Sequence, residues 1–207
     1  FNQTVDARGV ADGAFRVNSG ASLTGTSIYD TLVFGQVDYL LNYGTISVNS
    51  IIGWENINMF AKNYGQINAG TLAEMDDFNN EIGAVMNIGI LATSGNFSNY
   101  GQINVDMIIH QSESFANKSG SVINGKFMVT GGNDFTNDLG GTIVLTDTLF
   151  SATGLLVNNG DISAGNWRNT ADTVTGVTGK FCIANNFQNF GTINGTVDIC
   201  DATPGQL

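Results

Sequence analysis

The hexapeptide Asn-Tyr-Gly-Gln-Ile-Asn occurs word for word at residues 63–68 and again at 99–104, and looser copies run through the whole chain. Leu40-Leu41-Asn42-Tyr43-Gly44-Thr45-Ile46, Phe78-Asn79-Asn80 to Val85 and Phe187-Gln188-Asn189-Phe190-Gly191-Thr192-Ile193 share its grammar: a large apolar residue, Asn, Gly, then Ile or Val. With the Asn as register mark, positions 18, 42, 63, 80, 99, 117, 137, 158 and 189 are separated by 24, 21, 17, 19, 18, 20, 21 and 31 residues. A period near twenty is solenoid spacing, in which one unit cannot bury its apolar face alone and must stack on its neighbours.

Composition selects the kind of solenoid. The chain has 27 Gly, one Pro and 12% charged residues, with abundant Asn, Thr, Ile and Val, which favours strands and turns over helical repeats. Apolar residues alternate between the marks, as in Val122-Ile123-Asn124-Gly125-Lys126-Phe127-Met128-Val129, and no window sustains a helical period. The expected fold is all-β: a single-domain, right-handed parallel β-helix (β-solenoid) of about nine coils of 17–24 residues. It would occupy residues 15–201, after an N-terminal cap over 1–14 and before a C-terminal linker starting at 202–207. Phe or Leu at the head of each repeat and Ile or Val at its tail should point inward and stack along the axis. The Gly should supply the positive φ of a tight corner. The Asn should bond to the backbone of its own rung and to the Asn above and below.

Seven Lys and Arg stand against 18 Asp and Glu, for a formal charge of −11 and a pI near 4.1, so nucleic acid and anionic membranes are poor partners. No apolar stretch nears the roughly twenty residues that a spanning helix needs, so membrane insertion is not expected. The chain begins at Phe1, which reads as a processed or excised piece.

Candidate sites are few. Tyr43, Tyr64 and Tyr100, with Phe190, precede the repeat Gly, and an exposed aromatic stripe of this kind could hold sugar rings, but Ile82, Ser119, Leu139 and Asn159 break the stripe and favour structural stacking. Trp167 and Arg168 fall in the longest interval and are expected on a projecting loop, the place where binding usually resides. Glu74, Asp76 and Asp77, followed by Glu113 and Asp134, could line one edge of adjacent rungs. Such a row would suit Ca²⁺, or would simply be a solvated edge that discourages sticking, and no other cofactor is expected. The single histidine, His110, has no Ser and Asp arrangement beside it in the sequence, and no catalytic residue is assigned. Cys182 and Cys200 are 18 positions apart, about one coil, so a disulfide between neighbouring rungs is expected.

The final stretch, Gly179-Lys180-Phe181-Cys182-Ile183-Ala184-Asn185-Asn186-Phe187-Gln188-Asn189-Phe190-Gly191-Thr192-Ile193-Asn194-Gly195-Thr196-Val197-Asp198-Ile199-Cys200-Asp201, resembles the end of the repeat region in large surface proteins that certain Gram-negative bacteria export by the type IX secretion pathway. A looser β-helix resemblance, shared with filamentous adhesins and autotransporter passengers, covers residues 15–200. The resemblance implies a secreted or surface-attached, adhesin-like protein and carries no catalytic residue. It also implies O-linked sugars at Asp-Thr-apolar sequences, here at Thr31, Thr148 and Thr173. The leading expectation is therefore a non-catalytic extracellular or cell-surface module, an adhesin or rigid stalk whose partner is a host or cell-surface glycan or protein. A carbohydrate-binding or polysaccharide-degrading β-helix, and an extracellular filament subunit associating end to end, stay open beside it.

Overall fold

The computed structural model describes residues 5–6, 14–25, 27–34, 39–53, 60–111, 113–176, 178–194 and 198–201, with backbone alone for 5–6 and 198–201. Most of the expected cap over 1–14 and all of the linker at 202–207 lie outside the described residues.

Among the described residues there is no helix, and every strand pair is parallel. The chain winds alternately through a narrow ten-stranded sheet, whose strands are two to four residues long, and a wide twelve-stranded sheet. Each strand pairs with its equivalents one turn before and one turn after, which makes a parallel β-solenoid. Eight turns carry a full-length wide strand of 8 to 10 residues, from Thr45–Ile52 to Lys180–Asn189, with partial turns at both ends. This is about eight turns where the register marks suggested nine.

The interior is built from columns that run along the axis. On the narrow sheet, Phe78, Phe97, Phe115 and Phe135 are in register and buried, with ring centroids 5.3, 4.9 and 5.3 Å apart. Stacked rings at this spacing add to the burial of apolar area that drives assembly. Ile46, Ile67, Met86, Ile103, Ile123 and Ile143 form a facing column on the wide sheet. The wide strands are creased. Ile88 and Ile90 have pairing partners but Gly89 does not, and Asp106 is skipped in the same way between Val105 and Met107, so two consecutive side chains point outward. Alternation resumes beyond the crease with the opposite phase.

At the end of the narrow strands stands a ladder of buried asparagines. Asn42, Asn63, Asn80, Asn99, Asn117, Asn137 and Asn158 are fully buried, and each of the first six donates from Nδ2 to Oδ1 of the next at 2.8–2.9 Å. Asn158 ends the series by donating to the Lys180 carbonyl at 2.9 Å. At Asn42, Asn63 and Asn99, Oδ1 also accepts from the backbone N–H of the Gly two residues on, and at Asn117 it accepts from Ser121 Oγ. The amide therefore satisfies its own corner and the rung above, as buried polar groups must.

Two of the register marks belong elsewhere. In the first turn the ladder position is Val17, which pairs with Asn42, while Asn18 is exposed and opens the corner. Asn189 ends the wide strand Lys180–Asn189 and pairs with Asn169, so it lies at the opposite corner. The reason is chemical: Gly191 N donates to Asn189 Oδ1, and Ala171 N to Asn169 Oδ1, the same local bond that closes the Asn42 corner. Asn-x-Gly marks a corner of either kind, and the apparent 31-residue interval spans two different corners.

The expected projecting loop around Trp167 is strand Asp161–Asn169. Trp167 is 1% exposed, stacks on Phe181 at 4.2 Å and Phe187 at 4.7 Å, and donates from Nε1 to Ser151 Oγ at 2.8 Å. It is part of the core, because it follows the inward position held by Leu149 and Met128 in the turns before.

Candidate ligand-binding groove

The crease in the wide sheet forms a shallow groove parallel to the axis. One segment of about 520 Å³ is lined by residues 87–89, 104–106, 124–126 and Thr146, and one of about 490 Å³ by residues on the three preceding rungs. They meet at Asn87, so the groove follows seven successive rungs from Gly25 to Thr146. At the inter-strand spacing of ~4.8 Å it is roughly 29 Å long.

One wall is a second asparagine column, on the outside. Asn124, Asn104 and Asn87 each donate from Nδ2 to the Asn one rung toward the N-terminus, at 3.2, 2.8 and 2.8 Å, and Asn68 donates to Ser47 Oγ at 2.9 Å. Gln66 and Gln102 donate to Asn68 and Asn104 from the same face. The floor is apolar, formed by Val48, Ala69, Ile88 and Val105, which retain 6, 9, 4 and 7% exposure, whereas Ile46, Ile67, Met86 and Ile103 in the deeper column retain none. Gly70 and Gly89 at the crease, and Gly125 in the floor column, put no side chain into the groove. Among the described residues the ionisable lining groups are Asp106 and Lys126, which form an exposed ion pair at 2.7 Å, so the described lining carries no net charge in a chain of formal charge −11. The sequence signal for this column is Asn directly after the inward Ile or Met, at Ile67-Asn68, Met86-Asn87, Ile103-Asn104 and Ile123-Asn124. It is masked because the same residue type marks the corners.

The residues singled out from sequence fall in different places. Tyr43 and Tyr64 stack face to face with centroids 4.7 Å apart and planes 1° from parallel, and the Arg16 guanidinium lies 5.6 Å from the Tyr43 centroid. Their faces are turned along the axis toward each other and toward Arg16. Tyr100 is separated from Tyr64 by the rung that carries Glu81. The Arg168 guanidinium lies between the Phe150 and Phe190 rings, at 5.4 and 5.6 Å, and not beside the buried Trp167 in a loop.

Glu74 is the extra residue of a β-bulge, with φ 57°, exposed where Ala92 and Thr93 pair with Ala73 and Met75. Asp77 accepts from Asn96 Nδ2, which is followed in that column by Ser114 and then Asp134. The expected acidic row is thus interrupted by an amide and a hydroxyl. Among the described residues no group of three or more His, Cys, Asp and Glu side chains, Asp76 included, is placed to hold a metal ion. Thr31 and Thr173 are half-buried on strands, and Thr148 donates to the exposed Asp147 carboxylate at 2.8 Å. The backbone register pairs Cys182 directly with Cys200, whose side chain lies outside the described residues.

His110 is fully buried at the inner end of a wide strand. Its Nδ1 lies 3.0 Å from Thr93 Oγ1 and its Nε2 has no hydrogen-bond partner. Burial pushes its pKa below the usual value of 6.5, partly offset by the backbone and charge of Asp134. It is neutral at physiological pH and belongs to the interior, on the face opposite the groove wall.

No family model, no curated protein and no solved structure matches this chain.

Proposed function

We propose that this chain is a non-catalytic extracellular or cell-surface module, a rigid β-solenoid that serves as a stalk or adhesive rod. The observation that carries this reading is the unbroken in-register interior, in which six successive amide-to-amide bonds and four stacked phenylalanines tie each turn to the next. A solenoid held in this way resists bending, which is the property a stalk requires. Only 12% of the residues are charged, and the sheets of the solenoid offer long faces.

The Cys182–Cys200 disulfide is part of this proposal. In-register partners on adjacent parallel strands sit about 4.8 Å apart at Cα, inside the roughly 4.4–6.8 Å range that a disulfide spans. Oxidised cysteines fit an extracellular address. Export through the type IX pathway is the route that the sequence resemblance supports.

Immunogold labelling of intact cells of the native host tests the location. Label on the outer surface is expected, and its loss in a strain lacking the secretion channel would support the route. Signal confined to lysed cells would reject the surface reading.

A further inference from the structure

We propose that the crease groove is a binding site for an extended, uncharged β-linked polysaccharide lying parallel to the solenoid axis. This deepens the adhesive reading above by naming the ligand class.

Three independent features of the groove point to this chemistry. The first is unused hydrogen-bonding capacity. A carboxamide has two donor hydrogens and two acceptor positions. Along the outer column each Asn spends one donor on its neighbour, so Asn68, Asn87, Asn104 and Asn124 each keep one N–H for a ligand. Asn87 accepts a single bond from Asn104, so its oxygen keeps one acceptor position as well. At Asn87, donor and acceptor side by side on one planar group match a pair of vicinal hydroxyls, while Asn68 and Asn104, whose oxygens already accept two bonds each, offer a donor alone.

The second feature is the floor. Ile88 and Val105 reach the surface just enough to meet the C–H face of a sugar ring. The glycines of the crease keep side chains out of the path. An apolar floor with a few convergent polar groups is the usual composition of a small-molecule or glycan site.

The third is electrostatic. The chain carries a formal charge of −11, yet among the described residues the ionisable groups lining the groove are the Asp106–Lys126 pair, which cancel. An acidic polysaccharide would meet the repulsion of the whole molecule with no local cation to offset it, whereas a neutral one loses nothing. The repeat also fits: in an extended β-1,4-linked pyranose chain each ring advances by close to one inter-strand spacing, so successive rings meet successive rungs and alternate rings turn the same edge to the asparagine wall. Tyr43 is excluded as the platform because its two faces meet Tyr64 and Arg16, and Tyr64 gives one of its faces to Tyr43.

Affinity gel electrophoresis of the full chain in gels containing hydroxyethylcellulose, β-mannan, xylan or polygalacturonate tests the proposal. Retardation by at least one neutral polymer and none by polygalacturonate is expected. Asn104→Ala should weaken it by about tenfold, the loss of one good hydrogen-bonding group. Asn124→Trp, at an exposed position, should abolish it by filling the groove without disturbing the core. Tyr64→Ala should leave it unchanged. Circular dichroism checks that each variant is folded, and Asn124→Trp decides the matter if Asn104→Ala is not. The proposal is overturned by no retardation in any neutral polymer, by equal retardation in polygalacturonate, or by retardation that survives Asn124→Trp and is lost in Tyr64→Ala. None of these outcomes bears on the surface location, which immunogold labelling reads separately.

Discussion

Asn99 uses every hydrogen-bonding position its amide has. Nδ2 donates to Asn117 Oδ1 at 2.9 Å and to the Val122 carbonyl at 3.3 Å, while Oδ1 accepts from Asn80 Nδ2 at 2.8 Å and Gly101 N at 3.2 Å. Asn99→Ala would strand one buried donor, Asn80 Nδ2, and one part-buried donor, Gly101 N, and an unsatisfied buried group costs about 1–3 kcal/mol. A loss of roughly 3 kcal/mol in urea melts is expected. The exposed Asn18→Ala should be close to neutral, although the two residues look alike in the sequence. Phe97, stacked between Phe78 and Phe115 and 2% exposed, should cost about 3–5 kcal/mol when replaced by Ala.

His110 adds a pH dependence whose sign follows from its burial. Its folded pKa lies below the unfolded value of about 6.5, so between the two the unfolded chain binds the extra proton. Stability contributed by the neutral ring is present above pH ~6.5 and lost as pH falls through and below it. Urea midpoints measured from pH 8 to 5.5 should decline toward the acid end. His110→Gln, which keeps a polar group near Thr93 without titrating in this range, should flatten the slope. An identical slope in the variant would assign the decline to other groups.

At the scale of the element, the repeat Gly does two different jobs. In the longer corners, Gly20, Gly83, Gly120 and Gly140 have φ between 76° and 81° and follow a turn closed by an i to i+3 bond, as in Ala84 N to the Glu81 carbonyl. That conformation asks for Gly at the third turn position. In the two-residue Tyr-Gly corners φ is not positive. There a Cβ on Gly65 would lie 2.1 Å from the Gly44 carbonyl oxygen of the rung below. Gly83→Ala has open space and should cost about 1–2 kcal/mol for the left-handed backbone. Gly65→Ala should cost clearly more, because two stacked backbones must separate. The same reasoning makes Gly83→Asn tolerable and Gly65→Asn not. Equal losses for the two alanine variants in thermal melts would show that both corners are limited by φ.

Across the whole molecule, stability is a sum of turns and their interfaces, so the ends are the weak points. Among the described residues the strand Asp198–Asp201 pairs on one side only, and a Cys182–Cys200 bridge would fasten it. Closing an 18-residue loop stabilises by roughly 3 kcal/mol in the chain-entropy model. Thiol titration of the denatured, unreduced protein should find no free thiol, and reduction should lower the melting temperature. Two free thiols per chain would reject the bridge and remove one support for an extracellular address.

The sequence by itself determined the architecture. A period near twenty, alternating apolar residues, and Asn and Gly in place of helix formers leave a parallel solenoid as the way to bury what a single turn cannot. It also determined the columns: Phe78, Phe97, Phe115 and Phe135 head successive repeats, 19, 18 and 20 residues apart, and so stack one rung above another. The tertiary structure decided which face each copy of the motif serves. Asn-x-Gly records a bond between an amide and the backbone two residues on, and that bond closes either corner equally well. Only the partner one turn away distinguishes Asn158 from Asn189, and that partner is about twenty residues distant. The same non-local pairing placed Trp167 inside, above Leu149, and turned Asn68, Asn87, Asn104 and Asn124 out into a groove, because the crease that reverses the alternation is a property of stacked strands and not of any one of them.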